Sequence, residues 1–339
     1  MSTPPDARAP EAHSQGERLS RRALARLLTD IENGDEAALA RVRQLYRTPL
    51  AARLVGVTGA PGSGKSTLVA ALARAARARD QQVAILSVDP SSPFTGGAIL
   101  GDRIRMRDLA GDAGVFVRSL ASRSSLGGLS IAVADMATAL AAAGFELILI
   151  ETVGAGQSDV AIARLADTVI LVEVPGLGDD VQAIKAGILE IADVIAVNKA
   201  DLPGADRVAS ILATALSNQD TTWGHHGAGA YEAAPQPQRN GWSPPILKTV
   251  ATTGEGVAAV LDAAEQHARW LETSGERLRR RQRQLREEIA ARLQHQLAEF
   301  ARRRLGAQIE AWAQRCAAHQ AHPSEAARAL LAELCPGAE

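Results

Sequence analysis

Residues 59–67 read GAPGSGKST, set between a short apolar run at 54–58 and an alanine-rich run at 66–79. The pattern GxxxxGK[ST] is met by Gly59, Gly64, Lys65 and Ser66. A strand that turns through glycines into a helix lets successive backbone N–H groups point inward around phosphate oxygens, at the positive end of the helix. In that setting Lys65 reaches the β- and γ-phosphates and the Ser66 hydroxyl holds Mg²⁺. We therefore expect Gly59, Ala60, Pro61, Gly62, Ser63, Gly64, Lys65, Ser66 and Thr67 to line a nucleoside triphosphate site. The same loop places the chain in the α/β P-loop NTPase class.

The rest of the pattern agrees with that class. Apolar runs at 83–88, 145–150, 168–174, 194–198 and 246–250 read as strands. Helical periodicity at 128–143, 179–190, 205–217 and 255–273 separates them. Strands alternating with helices imply a mainly parallel sheet covered on both faces. Residues 18–48 read as two helices broken at 32–35. Beyond 276 the chain is charged and helical, with Leu278, Leu285, Ile289, Leu293, Leu297 and Phe300 on one stripe. Gly306 is expected to interrupt that helix, and Pro323 to start a last one. The expected division is a disordered lead at 1–17, N-terminal helices at 18–49, a nucleotide-binding domain at 50–273 with a loop insertion at 219–245, and a C-terminal helical region at 274–339.

Four further motifs carry chemistry. Asn198-Lys199-Ala200-Asp201 follows the strand ending at Val197 and matches the NKxD element of guanine-nucleotide sites. A carboxylate at Asp201 accepts from both N1–H and the exocyclic amine of guanine, whereas adenine leaves it unpaired. Asn198 can tie neighbouring loops to the purine edge, and the Lys199 stem can cover the ring face. Glu151, in the ETVG that ends an apolar strand, holds the place of the second metal-associated acid, where DxxG is the commoner pattern. Asp89, in SVDP, faces the same sheet edge, and Asp102 lies in a glycine-rich loop able to close over the γ-phosphate. Gln182 and Lys185 share a helical face after another strand end. Lysine occurs only at 65, 185, 199 and 248 in a chain with 37 basic residues, so Lys185 stands out against a background of arginine. For each of these acids and for the Gln182–Lys185 pair, a solvated turn or helix face is the competing reading.

Taken together, GVTGAPGSGKSTL, SVDPSSPFTGGAILGDRIRM, LIETVGAGQSD, VPGLGDDVQAIKAGILEIADVIAVNKAD and the SPPIL…TTGEG tail resemble the MeaB/ArgK family over roughly residues 20 to 275. These are GTPase chaperones of adenosylcobalamin-dependent acyl-CoA mutases. The resemblance implies an SRP-like (SIMIBI-class) GTPase fold, weak intrinsic hydrolysis of GTP to GDP and a homodimer. It implies a role in protecting the mutase, gating cofactor loading and ejecting damaged cobalamin. By the same resemblance Lys65 and Ser66 serve phosphate and Mg²⁺, while Asp89, Asp102 and Glu151 serve Mg²⁺ and catalysis. Gln182 and Lys185 fall at a switch that responds to the mutase, Asn198 and Asp201 at the guanine site, and Ala251 at the last guanine-contacting loop.

Composition narrows the rest. A net charge of −1 gives no basic surface for nucleic acid, and glutamates at 276, 287, 288 and 299 dilute the arginines of the last long helix. That helix reads as a solvated face over an apolar dimer seam, or as a mutase contact. No apolar run approaches the ~20 residues of a membrane span. A cytoplasmic protein with Cys316 and Cys335 reduced is expected. A metal-insertion GTPase is an alternative, but such proteins carry CxxC or His-rich tracts. His225-His226, being adjacent, point apart and read as loop residues. A transport-associated ATPase or kinase is a second alternative, opposed by Asn198 and Asp201.

Overall fold

The computed structural model describes residues 19–48, 51–89, 109, 111–121, 126–152, 165–176, 188–222 and 241–334. Among these residues seven strands form one parallel sheet: β1 (Arg53–Gly59), β2 (Val83–Asp89), β3 (Val115–Ala121), β4 (Leu147–Thr152), β5 (Thr168–Glu173), β6 (Val194–Val197) and β7 (Ile246–Lys248). Their order is β3-β2-β4-β1-β5-β6-β7, and every pairing is parallel. Strands buried on both faces need no apolar–polar alternation, and β4 and β6 are buried at every residue. Helix α3 (Lys65–Arg77) covers one face and α4 (Leu126–Ala142) the other, with α5 (Ile188–Ile191), α6 (Ala205–Thr222) and α7 (Val257–Thr273) completing the layers.

Sequence reading passed over β3. Its run VFVRSLA carries Arg118 at the centre, which breaks the continuous apolar signal. The arginine is used at the sheet edge: its guanidinium donates to Thr29 Oγ1 at 3.1 Å and pairs with Glu32 at 2.6 Å. Both partners lie on α1 (Arg21–Glu32), which buries Leu24, Leu27, Leu28 and Ile31 in the same core as α4. Ser20 caps α1 and Asp35 caps α2 (Glu36–Leu45), each by accepting a backbone N–H of the first turn.

Helix α8 (Glu276–Ala317) runs 42 residues without a break, about 63 Å at 1.5 Å per residue. Gly306, expected to interrupt it, lies within it. A mid-helix glycine costs only about 1 kcal/mol, and the flanking Arg, Leu, Ala and Gln residues are strong helix formers. Helix α9 (Pro323–Leu334) packs back on α8, with Leu305 and Ala326 buried. The stripe along α8 is largely exposed: Leu278 is 65% accessible and Leu293, Leu297 and Phe300 all exceed 50%. No helix of the described residues is long and apolar enough to cross a membrane.

The start of α8 is locked to the sheet at the edge opposite the glycine loop. Arg280 makes a two-pronged pair with Asp193 at 3.0 and 2.8 Å. Asp193 also accepts from Val169 N at 2.8 Å and approaches His267 Nε2 at 3.3 Å. The other ring nitrogen of His267 meets Thr168 Oγ1 at 2.9 Å, and Trp242 and Trp270 pack on the ring. Gln284 donates to Ala166 O at 2.8 Å. Burial pushes the His267 imidazole down to about 4 from 6.5, against the opposing pull of Asp193 and with Arg280 adding to the fall.

A buried neutral histidine has a definite pH signature. Its folded pKa lies below its unfolded value, so the stability it contributes is complete above pH 6.5 and is lost as pH falls toward 4. The span corresponds to something on the order of 3 kcal/mol. The difference in melting temperature between the native chain and His267→Gln should therefore shrink from pH 7 to pH 4 in thermal melts. A constant difference would show that the imidazole is not held neutral.

Candidate nucleotide site

Parallel strands put their C-terminal ends on one edge, and ligands bind there. The loop after β1 reaches this edge first. Gly59 has φ of 143°, and a Cβ on it would stand 2.2 Å from Val172 O of β5. Gly64 has φ of 88°, and a Cβ there would stand 2.4 Å from Asn198 Nδ2. These two positions need glycine because the Val172 carbonyl of β5 and the Asn198 side chain after β6 press on the loop, which fixes its curvature. The first helical bond of α3 runs from Leu68 N to Gly64 O at 2.9 Å. The positive end of α3 thus opens onto the loop's concavity. Lys65 Nζ donates to Gly59 O at 2.8 Å and Ala60 O at 2.9 Å, so the ammonium lies within the cradle.

Ser66 Oγ donates to Glu151 Oε1 at 2.5 Å. Glu151 is 1% exposed at the end of β4, next to β1 in the sheet. A buried carboxylate and a hydroxyl, both oxygen donors at a helix N-terminus, match the ligand chemistry of a hard divalent cation such as Mg²⁺. Asp89 ends β2, whose Val88 is in register with Thr152. Its backbone thereby reaches the same edge. Asp102, Gln182 and Lys185 lie outside the described residues.

Asn198, 2% exposed, joins three segments. Its Nδ2 donates to Ser63 O at 2.9 Å, while its Oδ1 accepts from Ala251 N at 3.1 Å and Thr249 Oγ1 at 3.2 Å. One amide side chain therefore sets the spacing between the glycine loop and the loop after β7. Lys199 adopts φ of 54° and sends its ammonium to Gly62 O at 2.9 Å. Asp201, two residues on, is exposed. The loop after β7 is itself tight: a Cβ on Gly256 would stand 2.1 Å from Lys248 O.

The structure adds residues that the sequence did not single out. Thr249 completes the Asn198 clamp, and a threonine at a strand end carries no signal of such a role. Glu173 ends β5 beside the glycine loop, and its backbone O accepts from Asn198 N at 2.7 Å. Burial pushes its carboxyl up to about 7 from 4.5, partly offset by the Lys65 ammonium.

The family model described as "Methylmalonyl Co-A mutase-associated GTPase MeaB" matches residues 24–304. The chain belongs to the MeaB family of GTPases. A Pyrococcus horikoshii protein named "Putative GTPase" is 46% identical over 269 residues, covering 79% of this chain and 80% of that protein. The mouse protein named "Methylmalonic aciduria type A homolog, mitochondrial" is 31% identical over 233 residues, covering 68% of this chain and 52% of its own length. Among solved structures, one titled "LAO/AO transport system kinase" superposes with a TM-score of 0.59 at 22% identity, covering 93% of this chain and 99% of that one. That likeness concerns the fold. MeaB membership makes this a P-loop GTPase and makes guanine nucleotide the ligand class for the cradle described above.

Proposed function

We propose that this MeaB-family protein is a Mg²⁺-dependent GTP switch that chaperones an adenosylcobalamin-dependent acyl-CoA mutase. In this reading it protects the mutase, gates cofactor loading and releases damaged cobalamin. The observation that carries the nucleotide part is the Asn198 clamp, which spaces the phosphate-binding loop against the loop holding Ala251. The mutase part rests on the wording of the family description and on the name of the mouse relative.

Residues take the following roles. The backbone of 59–67 and the Lys65 ammonium hold the phosphates, and Asn198, Lys199, Asp201 and Ala251 hold the guanine. Ser66 and Glu151, joined by Asp89 and Asp102, hold Mg²⁺, which supplies charge neutralisation on the phosphate oxygens. Glu151 or Asp102 orients the attacking water. The reading includes slow hydrolysis by the chain alone, rising when a mutase engages the switch containing Gln182 and Lys185. The exposed stripe on α8 fits a second copy of the chain, giving a homodimer through the region 274–339, with 50–273 as the GTPase domain and 18–49 as its helical extension. The reading includes a cytoplasmic location.

The decisive measurement is the rate of GTP hydrolysis with and without acyl-CoA mutases from the same source, with the mass of the complex followed by light scattering. One mutase should raise kcat at least about 10-fold, modest beside the 10³–10⁵-fold of a dedicated activator. It should do so while bound to a dimer of this chain. If every such mutase leaves the rate unchanged and fails to bind, the chaperone role falls, and the GTPase assignment stands without it.

A further inference from the structure

Glu173 has no part in the roles above, yet it sits on the cradle's wall. It ends β5, directly after Val172, whose carbonyl presses on Gly59, and Gly59 and Val172 are register partners between β1 and β5. The next residue on each strand is Ala60 and Glu173. Lys65 Nζ is seated on Gly59 O and Ala60 O, so its ammonium and the Glu173 backbone share one end of the same strand pair. Glu173 is half-buried, and its backbone is fixed on both sides, by β1 through Val172 and by the Asn198 N–H at 2.7 Å.

We propose that Glu173 is a positioning residue that competes with nucleotide phosphates for the Lys65 ammonium and takes up a proton from solvent when nucleotide binds. This rests on the reading of the loop as a phosphate site. In the empty cradle Lys65 is the cation that favours ionised Glu173. When phosphates arrive, Lys65 turns to them and anionic oxygens stand where only the ammonium stood. Both changes favour the protonated carboxyl. Among the described side chains, the other charged groups at this sheet edge are engaged or turned outward. Lys199, on the loop after β6, donates to Gly62 O. Asp201 on that loop is exposed. Lys248 at the end of β7 pairs with Asp206 of α6 at 2.5 Å. Glu151 lies two strands away, with β1 between, and is bonded to Ser66.

The sign follows. Bound-state proton affinity at Glu173 exceeds that of the free state, so binding is strongest when the carboxyl is already protonated. Affinity weakens as pH rises through about 7. Glutamine mimics the protonated form and abolishes the competition. Fluorescent GDP titrations at pH 6, 7 and 8 test this, with proton uptake read by calorimetry at pH 7 in buffers of different ionisation enthalpy. E173Q should bind GDP about as tightly as the native chain at pH 6 and roughly 10-fold more tightly at pH 8. The native chain should take up roughly half a proton more than E173Q, a difference from which the nucleotide's own phosphate cancels. E173L should match E173Q, and melts of both variants report folding. Equal pH profiles and equal proton uptake in the native chain and E173Q overturn the proposal while leaving the nucleotide site intact. Absence of GDP binding in the native chain overturns both.

Discussion

Lys65→Ala is expected to lower kcat/KM for GTP by ~10²–10³-fold, the cost of removing one preorganised donor from developing phosphoryl charge. The geometry explains why no other group substitutes. Lys65 is 6% exposed, and its ammonium is held on two loop carbonyls inside the cradle. Lys199 reaches the loop at a different carbonyl, Gly62 O, with its bond exposed. A shortened side chain therefore leaves the phosphates with backbone donors and the metal alone. The variant also strips two carbonyls of a charged donor, worth about 1.5–3 kcal/mol in folded stability. Melting and single-turnover GTP cleavage must be measured together. A folded Lys65→Ala protein with kcat/KM within threefold of the native value would show that this lysine does not serve the transferred phosphoryl group. Arginine is not a conservative control, since its planar fork does not fit a seat built for a point charge.

Much of this site is legible in the sequence because its geometry is local. The glycine loop has a fixed length between a strand and a helix, so its residues announce their positions. The NKAD element follows a strand directly, so topology alone carries Asn198 to the same edge. What escaped was made by non-local packing. Arg118 breaks the apolar run that would mark β3, yet it is the side chain that fixes α1 to the sheet. Thr249 gains its role only from an amide 51 positions earlier. Glu173 lies inside the run 168–174 without a signal of its own, and only the register of β1 against β5 brings its backbone to the strand end where Lys65 is seated. His267 reads as one more helix residue until Thr168, Asp193 and two tryptophans close around it. Gly306 shows the converse error: a local breaker weighed more heavily than the helix formers around it.

Asp201→Ala is expected to lower the preference for GTP over ATP by ~10²–10⁴-fold, the second of the two largest effects. Guanine offers N1–H and an exocyclic amine side by side, and a carboxylate accepts both. Each charged hydrogen bond contributes about 1.5–3 kcal/mol. Adenine presents an acceptor at N1 and no amine at C2, so it forgoes both bonds to Asp201. The fold supports this division of labour. Asn198 is 2% exposed and spends its amide on Ser63, Thr249 and Ala251, which makes it the frame. The left-handed turn at Lys199 then leaves the Asp201 carboxyl outward, available to a base edge rather than to the protein. Loss of Asp201 should therefore cost selectivity with little change in melting temperature, whereas loss of Asn198 should cost both. Asp201→Asn separates the chemistry further. An amide accepts from N1–H but donates where guanine also donates, so it should disfavour GTP and favour xanthosine triphosphate, whose 2-oxo group accepts. Competition of GTP, ATP and xanthosine triphosphate against a fluorescent nucleotide reads all three. If Asp201→Ala keeps the native GTP preference, base recognition lies in the loop holding Ala251, and the exposed carboxylate is a solvated turn.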